Sequence, residues 1–186
     1  MHIQSFNGTQ FEIKNHREKS IPVSVKEKAI IIAVAVFVIS MLSKSSPLYP
    51  FNDWVDTNIF LTVGKSVLHG KVLYRDIYEQ KGPLLFLIFV LPAIISEKSF
   101  IGVYILECFS AFFFLFYSYK ISKLFAPQSS LMLLPAYAFI VYSSRSFSHG
   151  GSVEELCLPM VTCSLYFMLQ GLIEEDPMAL HTATMR

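Results

Sequence analysis

Two clusters of polar residues in this chain have the makeup of a reaction site. The first holds Asp53 and Asp56, then Arg75, Asp76, Glu79 and Lys81. Carboxylates beside cations suit chemistry between a phosphate and a hydroxyl: the cations bind a lipid-linked phosphate while the carboxylates handle sugar or acceptor hydroxyls. The plainer alternative for Arg75 to Lys81 is a solvated, self-neutralising segment in which Lys81 anchors the helix that follows. The second cluster is SFSHGGSVEE, residues 146–155. Ser152 and Glu155 have the S-x-x-E spacing of a capping box at a helix start. Gly150 and Gly151 let a ligand approach the backbone, and a helix N-terminus favours anions. His149 can hydrogen-bond a phosphate or a sugar, or stand as a solvated loop histidine. Glu154, outside the box, is the candidate binding residue there.

These side chains need elements to hold them. At about 100° per residue, residues 55–69 read as an amphipathic helix. Ile59, Phe60, Val63 and Val67 share one stripe, with Asn58, Thr62, Lys65 and His69 opposite. Such a helix lies in the membrane interface, apolar face down. Asp56 falls between Val63 and Val67 in that stripe, where a carboxylate is costly unless it is paired or has a task. General-base catalysis is such a task; capping the helix start, by Asp53 or Asp56, is the structural alternative. Gly70 ends the helix, and Pro83 opens the next one at the first helical position.

Composition sets the wider frame. Of 186 residues 53% are hydrophobic and 16% charged, against roughly 25% charged in soluble domains. Mean hydropathy is +0.50. Fifteen basic and fourteen acidic residues leave a net charge of +1, so no field attracts nucleic acid. Cys108, Cys157 and Cys163 lie in apolar runs without CxxC spacing, which argues against disulfides or zinc. The chain has no HExxH, P-loop, GxGxxG or GxSxG. The first loop has no DxD spacing either, so no cofactor and no dedicated metal site are expected.

The hydropathy pattern predicts an all-α polytopic membrane protein with four or five transmembrane helices and an interfacial helix in the first external loop. A polar segment, 1–28, precedes apolar runs at 29–42, 82–95, 100–117, 131–142 and 153–173. The first run is short against the about 20 residues a bilayer needs, though flanking lysines can snorkel. A signal peptide is the alternative, but no A-x-A site follows. Residues 29–173 then form one transmembrane domain, and 174–186 read as a tail where a longer pattern breaks off. Basic residues before the first run favour a cytoplasmic N-terminus and an extracytoplasmic loop 43–81, although that loop carries as many. Five full spans would put residues 144–153 on the opposite side from that loop; a half-helix at 131–142 would let the two meet. Glu107 is the obvious carboxyl inside a span. Such residues also mark transporters, so a non-catalytic transporter or flippase subunit is the rival reading; an inert truncated product is a third.

The string DTNIFLTVGKSVLHGKVLYRDIYEQKGPLLFLI resembles the first external loop of the GT-C glycosyltransferases. These polytopic enzymes take sugars from polyprenyl-phosphate donors and include protein O-mannosyltransferases and the aminoarabinose transferase of lipid A. The resemblance covers residues 47–159. It rests on Asp56, Gly70, Tyr74 with Asp76, and Glu79 with Lys81, Gly82 and Pro83. It is similar to a bacterial branch with a PLYPFNDWVD-like opening and an SHGGSVEELCLP-like segment. It implies a bacterial cell-envelope enzyme transferring a hexose or pentose to an extracytoplasmic acceptor, with Asp56 as base and Lys81 or Arg75 steadying the leaving phosphate. The family's Asp-Glu pair is Asp56-Thr57 here, and its Lys-Pro-Pro step is Lys81-Gly82-Pro83, which makes Asp53 a rival base. Members are longer, so the resemblance implies an N-terminal portion.

Overall fold

The first helix begins ahead of its apolar run because Ser24 and Glu27 form a reciprocal capping box: Glu27 N–H donates to Ser24 Oγ and Ser24 N–H to Glu27. It spans Val25–Leu42 (α1) rather than starting at residue 29. The computed structural model describes residues 21–175 except 146 and 148. The expected segments 1–28 and 174–186 therefore lie largely outside the described residues. Five more helices follow: Val55–Leu68 (α2), Pro83–Ile95 (α3), Ile101–Phe125 (α4), Ser130–Tyr142 (α5) and Val153–Glu175 (α6). Among the described residues there is no strand, only an isolated bridge between Leu73 and Ile77.

Helices α4 and α6 are long and apolar enough to cross a membrane, fewer than the four or five expected. The reason is length. Helices α3 and α5 have 13 residues each, about 20 Å, against a hydrocarbon core of about 30 Å. Helix α1 has 18 residues, but its first turn carries Lys26, Glu27 and Lys28. Hydropathy marks apolar runs; it does not measure whether each is long enough.

Four helices run side by side with alternating direction. Tyr104, early in α4, bonds Ser40 near the end of α1, whereas Tyr119 and Lys123, late in α4, donate to Glu27 at the start of α1. Tyr142 ends α5 against Phe114, and Tyr137 bonds Ser122, so α5 also opposes α4. Ser110 donates to the Glu155 carbonyl and Tyr117 packs on Tyr166, so α6 runs with α4. The core between α1, α4 and α5 includes Ile31, Ile39, Ala111, Leu115, Leu134 and Ala138.

Helices α2 and α3 form a second cluster at one end of this bundle. Phe60 meets Phe86 and Phe89 edge-on, and α4 contributes Val103 of its first turn. Both ends of α3 stay at that end. Tyr78 and Glu79, just before it, border a groove with Asp53, while Pro92 in its last turn rests on Gly102. A Cβ at Gly102 would collide with the Pro92 backbone, so glycine permits this crossing. Thus α3 does not carry the chain to the far end. The loops after α1 and after α5 meet as a result, α3 having the effect that a half-helix at 131–142 would have had.

Candidate functional site

The loop leading into α2 is pinned to the loop between α5 and α6. Asn52 donates through Nδ2 to Ser45 Oγ at 2.9 Å and to the His149 carbonyl at 2.6 Å. Its Oδ1 accepts from Trp54 N–H at 2.9 Å. Thr57 Oγ1 donates to the Gly150 carbonyl at 2.6 Å. The Trp54 ring lies flat on His149, with centroids 4.5 Å apart and planes 6° off parallel. His149 is therefore a packed wall of the site rather than a solvated loop residue.

Two glycines make that junction possible. Gly150 and Gly151 adopt φ of +77° and +73°, a region costly for residues with a Cβ. Gly150 also sits against Ser43 Oγ and both carboxylate oxygens of Glu107; Gly151 sits against Thr57 and Val103. Beneath them are two wholly buried carboxyl groups, Glu107 and Glu155. The Ser152–Glu155 spacing works as a box in one direction: Glu155 N–H donates to Ser152 Oγ at 3.1 Å. The Glu155 carboxylate accepts instead from Gly151 N–H at 3.0 Å, one residue earlier than a standard box. The Tyr142 hydroxyl is buried without a hydrogen bond among the described residues, and the Glu107 carboxyl faces the hydroxyls of Ser43 and Ser45. In the sequence Glu107 stands out as a carboxyl inside a span, whereas the S-x-x-E spacing presents Glu155 only as a cap.

The structure sorts the carboxylates of the first loop. Neither Asp53 nor Asp56 caps α2; Trp54 occupies the N-cap position, and among the described residues no side chain makes a capping hydrogen bond there. The capping alternative is thereby corrected, because α2 starts between the two aspartates. Asp53 instead binds Lys44 at 2.6 Å, and this contact holds its carboxyl below the usual carboxylate range. His149 Nδ1 lies 4.0 Å from the same oxygen. Asp56 is half-buried in the first turn and makes no hydrogen bond or ion pair among the described residues. On the helical wheel it falls between the packed face of α2 (Phe60, Gly64) and the groove face (Val55, Ile59).

That groove, about 520 Å³, has Ile59, Val63 and Ile77 as its apolar side. Asp53, Asn58, Thr62, Tyr78 and Glu79 supply polar groups. Asp53 and Glu79, 26 positions apart in sequence, thus border one space. Asn58 spends its amide donors on the carbonyls of Asn52 and Trp54, so its carbonyl oxygen faces no such demand.

Arg75 and Asp76 satisfy each other. Arg75 Nε and Nη2 donate to the two Asp76 oxygens, both at 2.9 Å. Asp76 also accepts from Val72 N–H at 2.8 Å, closing a turn in which Tyr74 takes φ of +64°. Tyr74 OH donates to the Lys81 carbonyl at 2.7 Å, tying this turn to the entry of α3. The Lys81 ammonium is exposed and unpaired among the described residues, as is the Glu154 carboxylate. Of the expected binding residues, then, Arg75 and Asp76 shape the loop, while Glu79 and Lys81 keep polar atoms for a ligand. Glu154 shares no bond with the groove residues. Among the described residues, no three His, Cys, Asp or Glu side chains gather as metal ligands.

Asp76 gives a pH dependence with a definite sign. Arg75, then the Val72 N–H, depress its pKa in the folded state. The support it lends is complete above the ordinary carboxylate range and is lost as pH falls through the depressed folded value. Hydrogen exchange at the Val72 amide should therefore rise, relative to unstructured peptide, on acidification. Asp76→Asn should give that faster exchange at neutral pH; unchanged protection in the variant would contradict the assignment.

Comparison of the chain with family models, with curated proteins and with solved structures found no match.

Proposed function

We propose that the chain is, or is part of, a membrane glycosyltransferase of the GT-C type, moving a sugar from a polyprenyl-phosphate donor to an extracytoplasmic hydroxyl. The observation that supports this reading most is the joining of the two polar clusters beside a groove with carboxylates on both sides. The exposed faces of α1, α5 and α6 add to it. Phe37, Met132, Phe139, Ile140, Met160, Val161 and Met168 are all open. Such an apolar exterior exceeds what water tolerates and suits lipid.

In this reading the donor's sugar lies in the groove, its hydroxyls met by Asp53, Glu79 and the Asn58 carbonyl. The polyprenyl tail follows the apolar exterior. The acceptor oxygen attacks the anomeric carbon and its proton passes to Asp56. The bond from that carbon to the phosphate oxygen breaks, and the phosphate leaves with the electron pair. Lys81, free where Arg75 is engaged, steadies the added charge. Asp56 is preferred to Asp53 as base because the Lys44 contact weakens Asp53 as a proton acceptor.

Membranes containing the protein as its gene encodes it should move radiolabel from a polyprenyl-phosphate hexose or pentose to an acceptor, releasing polyprenyl phosphate. No transfer above membranes lacking the protein, with either donor, would sink this reading. The transporter reading is favoured by one observation, the buried pair Glu107 and Glu155 between helices. Under it, Glu107→Gln abolishes function and Asp56→Asn leaves it intact.

A further inference from the structure

A second cavity, about 340 Å³, lies between the turn after α1 and the turn joining α3 to α4. Lys44 borders it from one turn and Lys98 from the other, and its lining contains no carboxylate. Lys44 is partly matched by Asp53, which is not part of the lining. Lys98 has no hydrogen bond or ion pair among the described residues, and its neighbour Glu97 is engaged by His69 at 3.1 Å.

The cavity ends on Phe100 and Ile101, where the 25-residue α4 begins. No side chain caps that start and no acidic residue occupies its first turn. The positive end of the helix dipole therefore adds to the unpaired Lys98 ammonium and to Lys44, whose charge is shared with Asp53 at 2.6 Å. Ser46, almost wholly buried in the wall, accepts from Leu48 N–H at 3.3 Å and keeps its own O–H to donate. A concave space with converging cations, a hydroxyl donor and uncapped amides has the chemistry of an oxyanion site. The rim is apolar: Phe51 is 65% exposed beside Pro47 and Pro50. An apolar rim above a cationic floor fits a phosphate that carries an organic group.

We propose that this cavity binds the phosphate of a phosphate ester, separately from the groove beside α2. The inference does not depend on glycosyl transfer: Lys98, Ser46 and the start of α4 take no part in the proposed reaction, and Lys44 enters it only as the partner of Asp53. The phosphate can come from an anionic lipid headgroup or from a soluble ester, and the test separates them.

Phosphorus NMR line broadening would be followed with the purified protein in nonionic detergent. The probes are a short-chain phosphatidylglycerol and glycerol phosphate. At least one should bind, with affinity reduced about tenfold by Lys98→Gln, the scale of one charge-assisted hydrogen bond. Lys98→Arg should restore it and Lys81→Gln should leave it unchanged. Binding of the lipid probe alone marks a headgroup site; comparable binding of glycerol phosphate marks a site for soluble esters. The proposal is overturned if neither probe binds, if Lys98→Gln binds as tightly as the parent, or if Lys81→Gln removes the binding. Because Lys98 is exposed, Lys98→Gln should melt with the parent, and sugar transfer should persist in it.

Discussion

Asp56→Asn should lower sugar transfer by about 10²–10⁴-fold, the usual worth of a general base, while expression and melting temperature stay at parental values. Asparagine keeps the size of the side chain and removes its capacity to take the acceptor's proton. The structural cost is small because the Asp56 carboxylate makes no hydrogen bond or ion pair among the described residues, and the N-cap position belongs to Trp54. Asp53→Asn is the control. It breaks the 2.6 Å contact with Lys44 and alters one side of the groove, so it should raise KM more than it lowers kcat. Turnover should be measured with saturating donor for both variants. Normal turnover in Asp56→Asn, or a larger kcat loss in Asp53→Asn, would move the base to Asp53.

A second large effect is expected at the junction of the two loops. Gly150→Ala places a Cβ in a left-handed backbone position, at roughly 1–2 kcal/mol, and drives it into Ser43 and the Glu107 carboxylate. Overpacking of that kind adds about 1–3 kcal/mol. Gly70→Ala is the matched comparison: φ is +84°, but nothing lies within 4 Å of the new atom. It should show the backbone cost alone. Thermal unfolding of both variants in one detergent separates strain from collision. Equal destabilisation would mean that the loop after α5 does not sit on Glu107.

Local features were legible in the sequence because they depend on neighbours along the chain. The 3.6-residue pattern of 55–69 places Phe60 and Val63 inside and leaves Asn58, Thr62 and His69 exposed, as observed. But Ile59, Val67 and Lys65 are half-buried, and Thr57, Leu61 and Gly64, outside the expected stripe, are buried. Gly70 takes positive φ just past the end of α2, and Pro83 opens α3. The S-x-x-E spacing of Ser24 and Glu27 sets the start of α1 four residues ahead of the apolar run that begins at residue 29.

Pairings across the fold were not legible. Thr57 reaches Gly150 across 93 residues, and nothing in either segment names the other. The partition among the charges of the first loop was also hidden. Composition puts Arg75, Asp76, Glu79 and Lys81 together, but only the turn around Tyr74 decides that Arg75 and Asp76 consume each other. Hydropathy could not show that α3 returns to its starting end, because that depends on the close contact of Pro92 with Gly102.

In the proposed reading both polar clusters share one face of a membrane, outside the cytoplasm. Single cysteines at Lys71→Cys, Arg145→Cys and Lys28→Cys, in a background with Cys108, Cys157 and Cys163 replaced, test it directly. An impermeant maleimide applied to intact cells should label positions 71 and 145 alike, and position 28 only after permeabilisation. Labelling of 71 and 145 from opposite sides, or of neither before permeabilisation, would contradict the account.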